Sequence, residues 1–104
     1  MALLASPITT TTSSIYASAG NSAITSLTVC NYSPNQDVNI NVYAVPNSQF
    51  PTLNNIILSN VLITPGDTLQ LYVAAEKLVL SNGDAVWADS TANTVTTVVS
   101  FTSF

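Results

Sequence analysis

The segment Val38-Asn39-Ile40-Asn41-Val42-Tyr43-Ala44-Val45 alternates apolar and polar side chains with a period of two residues. Successive side chains of a β-strand point to opposite faces of its sheet. The alternation therefore predicts a strand with one buried face. That face would carry Val38, Ile40, Val42 and Ala44, and the other face would carry Asn39, Asn41 and Tyr43.

Shorter apolar runs lie before and after this segment and are separated by residues that favour turns. Turn signals occur at Gly20-Asn21, Ser33 to Asp37, Thr64 to Asp67 and Ser81 to Asp84, and Ser59-Asn60 suits a bulge. About seven or eight short strands at this spacing are typical of a β-sandwich or a small flattened barrel. The fold class predicted from the sequence is therefore all-β.

The period-two pattern also predicts which side chains face the core. The predicted inward residues are Val38, Ile40, Val42, Leu69, Leu71, Val99 and Phe101. Structural roles are assigned to Gly20, Gly66 and Gly83 in turns, and to Trp87 and Phe101 in packing. Asn82-Gly83 predicts a type I′ hairpin turn with both residues at positive φ, and Ala74 to Lys77 predicts a bend or one helical turn.

Composition restricts the function. The chain has 104 residues, enough for one domain, and 47% of them are hydrophobic, so it should fold. Only 6% are charged. Lys77 is the one cationic side chain, and there is no Arg and no His. Without imidazole or guanidinium groups most catalytic and phosphate-binding arrangements are excluded. We expect no enzymatic activity, no cofactor and no binding to nucleic acid or to a membrane.

The first 14 residues include the uncharged run Thr9 to Ser14 and have no evident apolar face. The sequence predicts an extended N-terminal arm over residues 1–14 and a β-sandwich domain over residues 15–104. The arm is either a mobile tail or an ordered segment that pairs with the sheet edge of a neighbouring subunit. It has no basic region of the kind found in secretory signals, so we expect the protein to remain in the cytoplasm where it is made.

Other residues invite functional interpretations that turn or core chemistry explains equally well. Asp67, Asp84 and Asp89 raise the possibility of a metal site or a carboxylate pair, but their spacing matches no ligand motif. Cys30 is predicted to be a buried apolar residue and Phe50 to pack under its loop. Asn31-Tyr32-Ser33 matches the glycosylation pattern by chance. Trp87 with Tyr16, Tyr32, Tyr43 and Tyr72 suggests either core and interface anchors or a sugar-binding face.

Two parts of the chain resemble small virion structural proteins of tailed bacteriophages, particularly phages of cyanobacteria and other marine hosts. Ile15 to Asn31 is similar to the opening of those proteins. The later similarity runs through Ile56 to Val61, Pro65 to Thr68, Glu76 to Asp84 and Thr97 to Phe101. The resemblance extends over roughly Ile15 to Phe101. Its Pro-Gly-Asp and Asn-Gly-Asp turns are more specific to these proteins when they occur together in this order.

The resemblance implies a β-rich protein without enzymatic activity that is a repeated part of the virion. Its leading form is a homotrimeric capsid decoration, or cement, protein that docks on the major capsid protein. The alternative is a tail, baseplate or fibre component with a host-receptor or glycan-binding role. The scarcity of charge agrees with assembly, because few like charges oppose contact between copies. No catalytic, cofactor or metal residue is implied.

Overall fold

The computed structural model describes residues 2–71 and 78–104, which form nine β-strands and no helix. The bend predicted at Ala74 to Lys77 lies outside these residues, as do Tyr72 and Val73. The strands are β1 (Ala2–Ile8), β2 (Ser13–Ala17), β3 (Ser22–Asn31), β4 (Val38–Val45), β5 (Ile56–Ile63), β6 (Thr68–Leu71), β7 (Leu78–Leu80), β8 (Ala85–Ser90) and β9 (Val95–Ser103).

The strands form two antiparallel sheets. One has the order β1-β9-β3-β6, and the other has the order β2-β8-β4-β5. The short strand β7 also pairs with β3, beyond the end of β6, so β6 and β7 together fill one strand position. Most connections cross from one sheet to the other. This is the strand order of a jelly roll, the two-sheet form of the antiparallel sandwich, and it confirms the predicted all-β sandwich.

The core lies between the two sheets and is almost entirely aliphatic. On β3, Leu27 and Val29 are fully buried, and on β4 the same is true of Ile40 and Val42. Each such side chain contributes about 1.5–3 kcal/mol by leaving water. Because both sheets contribute a buried apolar face, the two layers hold each other in place.

The predicted inward residues all pack on the core, although to different depths. Val38, Ile40, Val42 and Val99 are fully buried. Leu69, Leu71 and Phe101 are only partly buried. Leu69 and Leu71 belong to β6, which is an edge strand and is covered from one side only. Phe101 packs against the ring of Tyr16 with centroids 4.6 Å apart.

The N-terminal segment is extended, as predicted, but it is not a separate arm. Residues Ala2–Ile8 form β1 and pair along their whole length with β9 of the same chain. Ile8 is fully buried in the core, and Ser13–Ala17 forms β2 of the other sheet. The apolar side chain of Ile8 provides the burial that the segment was expected to lack, so the boundary expected at residue 14 falls inside the sandwich.

The turn at Asn82-Gly83 also differs from the prediction. The flanking strands β7 and β8 belong to different sheets, so the turn is not a β-hairpin. Asp84 N–H donates to the Ser81 carbonyl (3.0 Å) and Gly83 has φ of 87°. Gly83 has positive φ, and Asn82 is not among the described residues with positive φ. This combination of φ signs at the two central residues is that of a type II turn. A type I′ turn matches the twist of paired strands, and that requirement is absent here.

The loops divide between the two ends of the sandwich. At the end that we name the polar end, loops 32–37, 64–67 and 91–94 meet around Asn31, which is fully buried, and loop 9–12 joins them through a bond from the Thr10 N–H to the Asn93 side chain (3.1 Å). Its side-chain amide donates to the carbonyls of Gln36 (2.8 Å) and Ile63 (3.0 Å). Its oxygen accepts from the Ser33 N–H (3.1 Å) and the Thr94 hydroxyl (3.2 Å). This one side chain therefore ties together parts of the chain that lie far apart in sequence.

Replacing Asn31 by Ala should lower the free energy of unfolding by about 3 kcal/mol or more, since each buried polar group left without a partner costs about 1–3 kcal/mol. Urea denaturation of the two proteins measures this difference. Asn35→Ala is the matched control, because Asn35 is exposed in the adjoining loop and should change stability little. Equal midpoints for Asn31→Ala and Asn35→Ala would contradict the assignment.

Gly83→Val should destabilise the protein more than Gly66→Val. Both glycines have positive φ (87° and 80°), which costs a β-branched residue about 1–3 kcal/mol. A side chain at Gly66 meets open space, whereas at Gly83 it meets the side chain of Asn47. Thermal unfolding of the two variants separates the steric contribution from the backbone strain. Equal losses would mean that Asn47 moves aside freely.

Candidate functional site

The outward face of the sheet β2-β8-β4-β5 brings two aromatic side chains together. Tyr43 of β4 and Trp87 of β8 are direct cross-strand partners, and both are half-buried. Directly opposed side chains in an antiparallel pair have Cβ atoms about 4.5–5.5 Å apart. Val86 and Ala88, the neighbours of Trp87, are buried in the core, so the indole is on the opposite, outer face. Trp87 is therefore not the core packing residue that the sequence predicts.

The next cross-strand pair along the same two strands is polar. Asn41 faces Asp89 and donates from its amide to Asp89 Oδ1 (2.8 Å). Thr12 donates its hydroxyl to Asp89 Oδ2 (2.8 Å), and the Tyr43 hydroxyl lies 3.4 Å from the same oxygen. The Asn41 side-chain oxygen accepts from the Asn60 N–H (2.8 Å). The side chains around Asp89 are thus held in fixed orientations by one another, and we call this group, with Tyr43 and Trp87, the aromatic–polar face.

The same network affects the ionisation of Tyr43. Partial burial raises the pKa of the Tyr43 hydroxyl above its ordinary value, and the negative charge of Asp89 and its hydrogen bond raise that pKa further. The phenol therefore stays protonated as a donor to the carboxylate.

The outward face of the other sheet contains no charged residue in the part of the chain that the structure describes. By the strand register, this face carries Leu3, Ala5, Pro7, Ser26, Thr28, Cys30, Thr68, Gln70, Thr96, Val98 and Ser100. Cys30 is half-buried here and is not the core residue that was predicted. The face offers small neutral side chains that can approach another protein closely.

Strand β1 forms an edge of that sheet, and its residues 2–5 are exposed on both faces, whereas Ile8 at its end is buried in the core. Leu3 points outward and is 74% exposed, and Leu4 is 40% exposed even though it points toward the core side. The seven residues of β1 pair with β9 without a register shift. Of the other described edges, β2 and β5 contain register shifts, and β6 and β7 end at the limits of the described residues. Strand β1 is therefore the longest regular edge strand among residues 2–71 and 78–104.

The end opposite the polar end, which we name the apolar end, carries loops 18–21, 46–55 and 81–84. Large apolar side chains are exposed there: Phe50 by 77%, Leu53 by 82%, Val79 by 63% and Phe104 by 72%. The prediction that Phe50 packs under its loop is therefore wrong. Hydrogen bonds among the polar groups of the loop fix its path and turn the ring outward.

Local hydrogen bonds hold loop 46–55 in shape. Asn55 donates from its side-chain amide to the Phe50 carbonyl (2.9 Å), and its side-chain oxygen accepts from the Thr52 N–H (3.0 Å). The Asn47 N–H donates to Asp84 Oδ1 (2.9 Å), which joins this loop to the turn at Gly83. Phe50 and Leu53 are thus displayed by a loop with a defined conformation.

The structure does not bring the other candidate residues into one site. Asp67 and Asp84 serve in separate turns, where they bond with Thr64 and with the Ser81 N–H respectively. Across residues 2–71 and 78–104, no three side chains of the types His, Cys, Asp and Glu are grouped to hold a metal ion. Nor does any helix among these residues have the length and apolarity to cross a membrane.

The remaining tyrosines are dispersed. Tyr16 is buried in the core and donates its hydroxyl to Ser22 (2.8 Å), whereas Tyr32 is 60% exposed at the polar end. Of the aromatic set considered for a sugar-binding face, only Tyr43 and Trp87 share a surface among the described residues. Their cross-strand register, which a single sequence does not specify, is what joins them. Comparison with protein-family models, with curated proteins and with solved structures gives no match to this chain.

Replacing Asp89 by Asn should lower the pKa of Tyr43 toward its ordinary value, because the charge is removed while the partial burial remains. In the parent protein, the unfolded chain loses this proton first as the pH rises above about 10, so the contribution to stability is complete below that pH and is lost above it. NMR titration of the Tyr43 ring measures the pKa. An unchanged pKa in Asp89→Asn would show that burial alone causes the shift.

Proposed function

We propose that this protein is a non-enzymatic structural subunit of a tailed-phage virion, and specifically a decoration protein that docks on the major capsid protein. The observation that carries the proposal is the regular, uncharged edge strand β1, whose residues 2–5 are exposed on both faces. The strand order adds support of a general kind, since jelly rolls build viral capsids and also lectins. The sequence resemblance supplies the reason to choose a virion.

The edge strand supports assembly because an edge of this kind is costly to leave uncovered. Sheet edges expose backbone donors and acceptors that can pair with another chain, and monomeric proteins protect them with charge, bulges or short length. Strand β1 has none of these protections apart from Pro7 near its end. A second copy of the chain that lies along β1 would pair these groups and cover Leu3 and Leu4.

We propose a homotrimer in which β1 of each copy lies against the next. A closed ring uses the same pair of surfaces at each contact and leaves no β1 edge free. The neutral outward face beside β1 supports close approach between copies. Because such contacts depend on apolar burial and backbone hydrogen bonds, raising the salt concentration should not dissociate them.

The apolar end supports attachment to a larger surface. Phe50 and Leu53 project from a loop whose conformation is already fixed, so little entropy is lost when they enter pockets of a partner. Large aromatic and aliphatic anchors of this kind provide most of the energy of protein interfaces. In the proposed virion, this end contacts the capsid shell and the polar end faces solvent.

The copy number of the protein in purified virions tests the virion assignment. A decoration protein should be present in numbers comparable to the major capsid protein, whereas a fibre or baseplate protein should be far less abundant. Quantitative mass spectrometry of purified particles gives the ratio of the two proteins. Absence from the particles would contradict the proposal, and a low ratio would favour the tail, baseplate or fibre alternative.

Replacing Leu3 by Lys should convert the trimer to a monomer without unfolding the sandwich. Leu3 is 74% exposed, so its loss leaves the core unchanged, and a lysine on an edge strand opposes pairing with another strand. Light scattering gives the mass, which should fall from three times 10.9 kDa to one. Leu62→Lys is the matched control on β5, where Leu62 is 56% exposed. A parent protein that is monomeric at high concentration would rule out the trimer.

A further inference from the structure

We propose that the aromatic–polar face binds a neutral carbohydrate. The proposal rests on the cross-strand pairs Tyr43–Trp87 and Asn41–Asp89, which place two aromatic rings beside a carboxylate and an amide on one outward surface. The aromatic–polar face is the outer face of the sheet β2-β8-β4-β5, whereas the uncharged face belongs to the other sheet. The carbohydrate proposal therefore does not depend on how the protein assembles.

The polar groups of this face retain unused hydrogen-bonding capacity. A carboxylate has about four acceptor positions, and Asp89 uses three of them, for Thr12, Asn41 and Tyr43. The Asn41 amide uses one N–H on Asp89 and has a second. Among the described residues, nothing accepts from the indole N–H of Trp87. One free acceptor and one free donor therefore lie on the Asn41–Asp89 pair, and the indole N–H on the same sheet face is a second donor.

Adjacent hydroxyl groups of a sugar match this arrangement, because each hydroxyl both donates and accepts a hydrogen bond. One hydroxyl can donate to Asp89 while its neighbour accepts from Asn41. The C–H groups on the flat side of a sugar ring are apolar and can lie on the aromatic rings of Trp87 and Tyr43. Since Asp89 is already held by three donors, its orientation is set before a ligand arrives, which reduces the entropy lost on binding.

Charge selects a neutral ligand over an anionic one. Asp89 gives the face a negative charge, the chain has a formal net charge of −4, and Lys77 is its one cationic side chain. A sulfated or carboxylated sugar would therefore be repelled. A fully apolar ligand would remove water from Asp89 and leave its remaining acceptor position unpaired. A polyhydroxylated ligand with an apolar ring face avoids both costs.

Stability accounts for part of this face, and its unused hydrogen-bonding groups are what a ligand could take up. The hydrogen bonds of Asp89 already join β4, β8 and the segment before β2. The cross-strand pair Tyr43–Trp87 stabilises the same two strands. A ligand that covers Trp87 and also reaches Asp89 and Asn41 explains why these residues are found together.

The test is an NMR titration of the full-length protein with neutral oligosaccharides. Trp87 is the one tryptophan of the chain, so its indole N–H gives a single, identifiable signal. The probes are maltohexaose, cellohexaose, mannohexaose, chitohexaose and a linear galactan fragment, with a heparin hexasaccharide as the anionic comparison and a proline-rich peptide as the non-sugar comparison. We expect a saturable shift of the indole signal with at least one neutral probe and none with the heparin fragment.

Variants then assign the binding to this face. Trp87→Ala and Asp89→Ala should each weaken binding by roughly tenfold or more, while Trp87→Phe, which keeps an aromatic ring, should weaken it less. The backbone amide signals of the same spectra report whether each variant is folded and follow binding where the indole is absent. Tyr32→Ala is the matched control, because Tyr32 is an exposed tyrosine at the polar end, and it should leave the affinity unchanged within about twofold.

Three results would overturn the proposal: no saturable shift with any neutral probe, tighter binding of the heparin fragment or the peptide, or binding that persists in both Trp87→Ala and Asp89→Ala. Failure of the assembly proposal would appear instead in the mass of the protein and in its copy number. The two experiments therefore fail separately.

Discussion

The buried amide of Asn31 is the interaction on which the rest of the structure depends. The chain has too few charged residues to tie its loops with ion pairs, and Asn31 does this work with a neutral side chain that both donates and accepts. Its backbone takes part too: its N–H donates to the Asp67 carbonyl (3.1 Å) and its carbonyl accepts from the Gly66 N–H (2.8 Å). Because the loops are fixed at the polar end, the two sheets remain aligned. The opposite end can then carry a different kind of surface.

The scarcity of charge also explains why the surfaces differ so strongly. Among the described residues, the carboxylates of Asp37 and Asp67 lie in loops of the polar end and Asp89 lies on one sheet face, while the other sheet face carries none. At the apolar end, Asp84 accepts two backbone N–H bonds and serves the turn. The exposed side chains described there are otherwise uncharged and include Phe50 and Leu53. The contacts that we propose with other copies, with a larger partner and with a polar ligand therefore use different surfaces of one sandwich.

Local patterns predicted most strands after residue 15 but not β1, and non-local pairing limited the rest. The alternation in β4 and the bulge at Ser59-Asn60 are both present, the latter with Asn60 at φ of 56°. The order of strands across each sheet depends on contacts between distant residues, so the sequence did not specify a jelly roll. The same limit explains the type of the turn at Gly83 and the outward position of Trp87, because each depends on the sheet to which a strand belongs. The burial of Asn31 had no local signal, since a single asparagine before a turn is ordinary.

We propose that a second copy of the chain along β1 completes the molecule. Hydrogen–deuterium exchange of the β1 amides, measured at low and high protein concentration, tests this pairing between copies, since pairing protects backbone N–H groups from exchange. We expect exchange of the β1 backbone N–H groups that point away from β9 to slow by about tenfold or more as the protein concentration rises. Exchange at β5, an edge of the other sheet, should stay the same. Equal exchange of the β1 amides at both concentrations would contradict it.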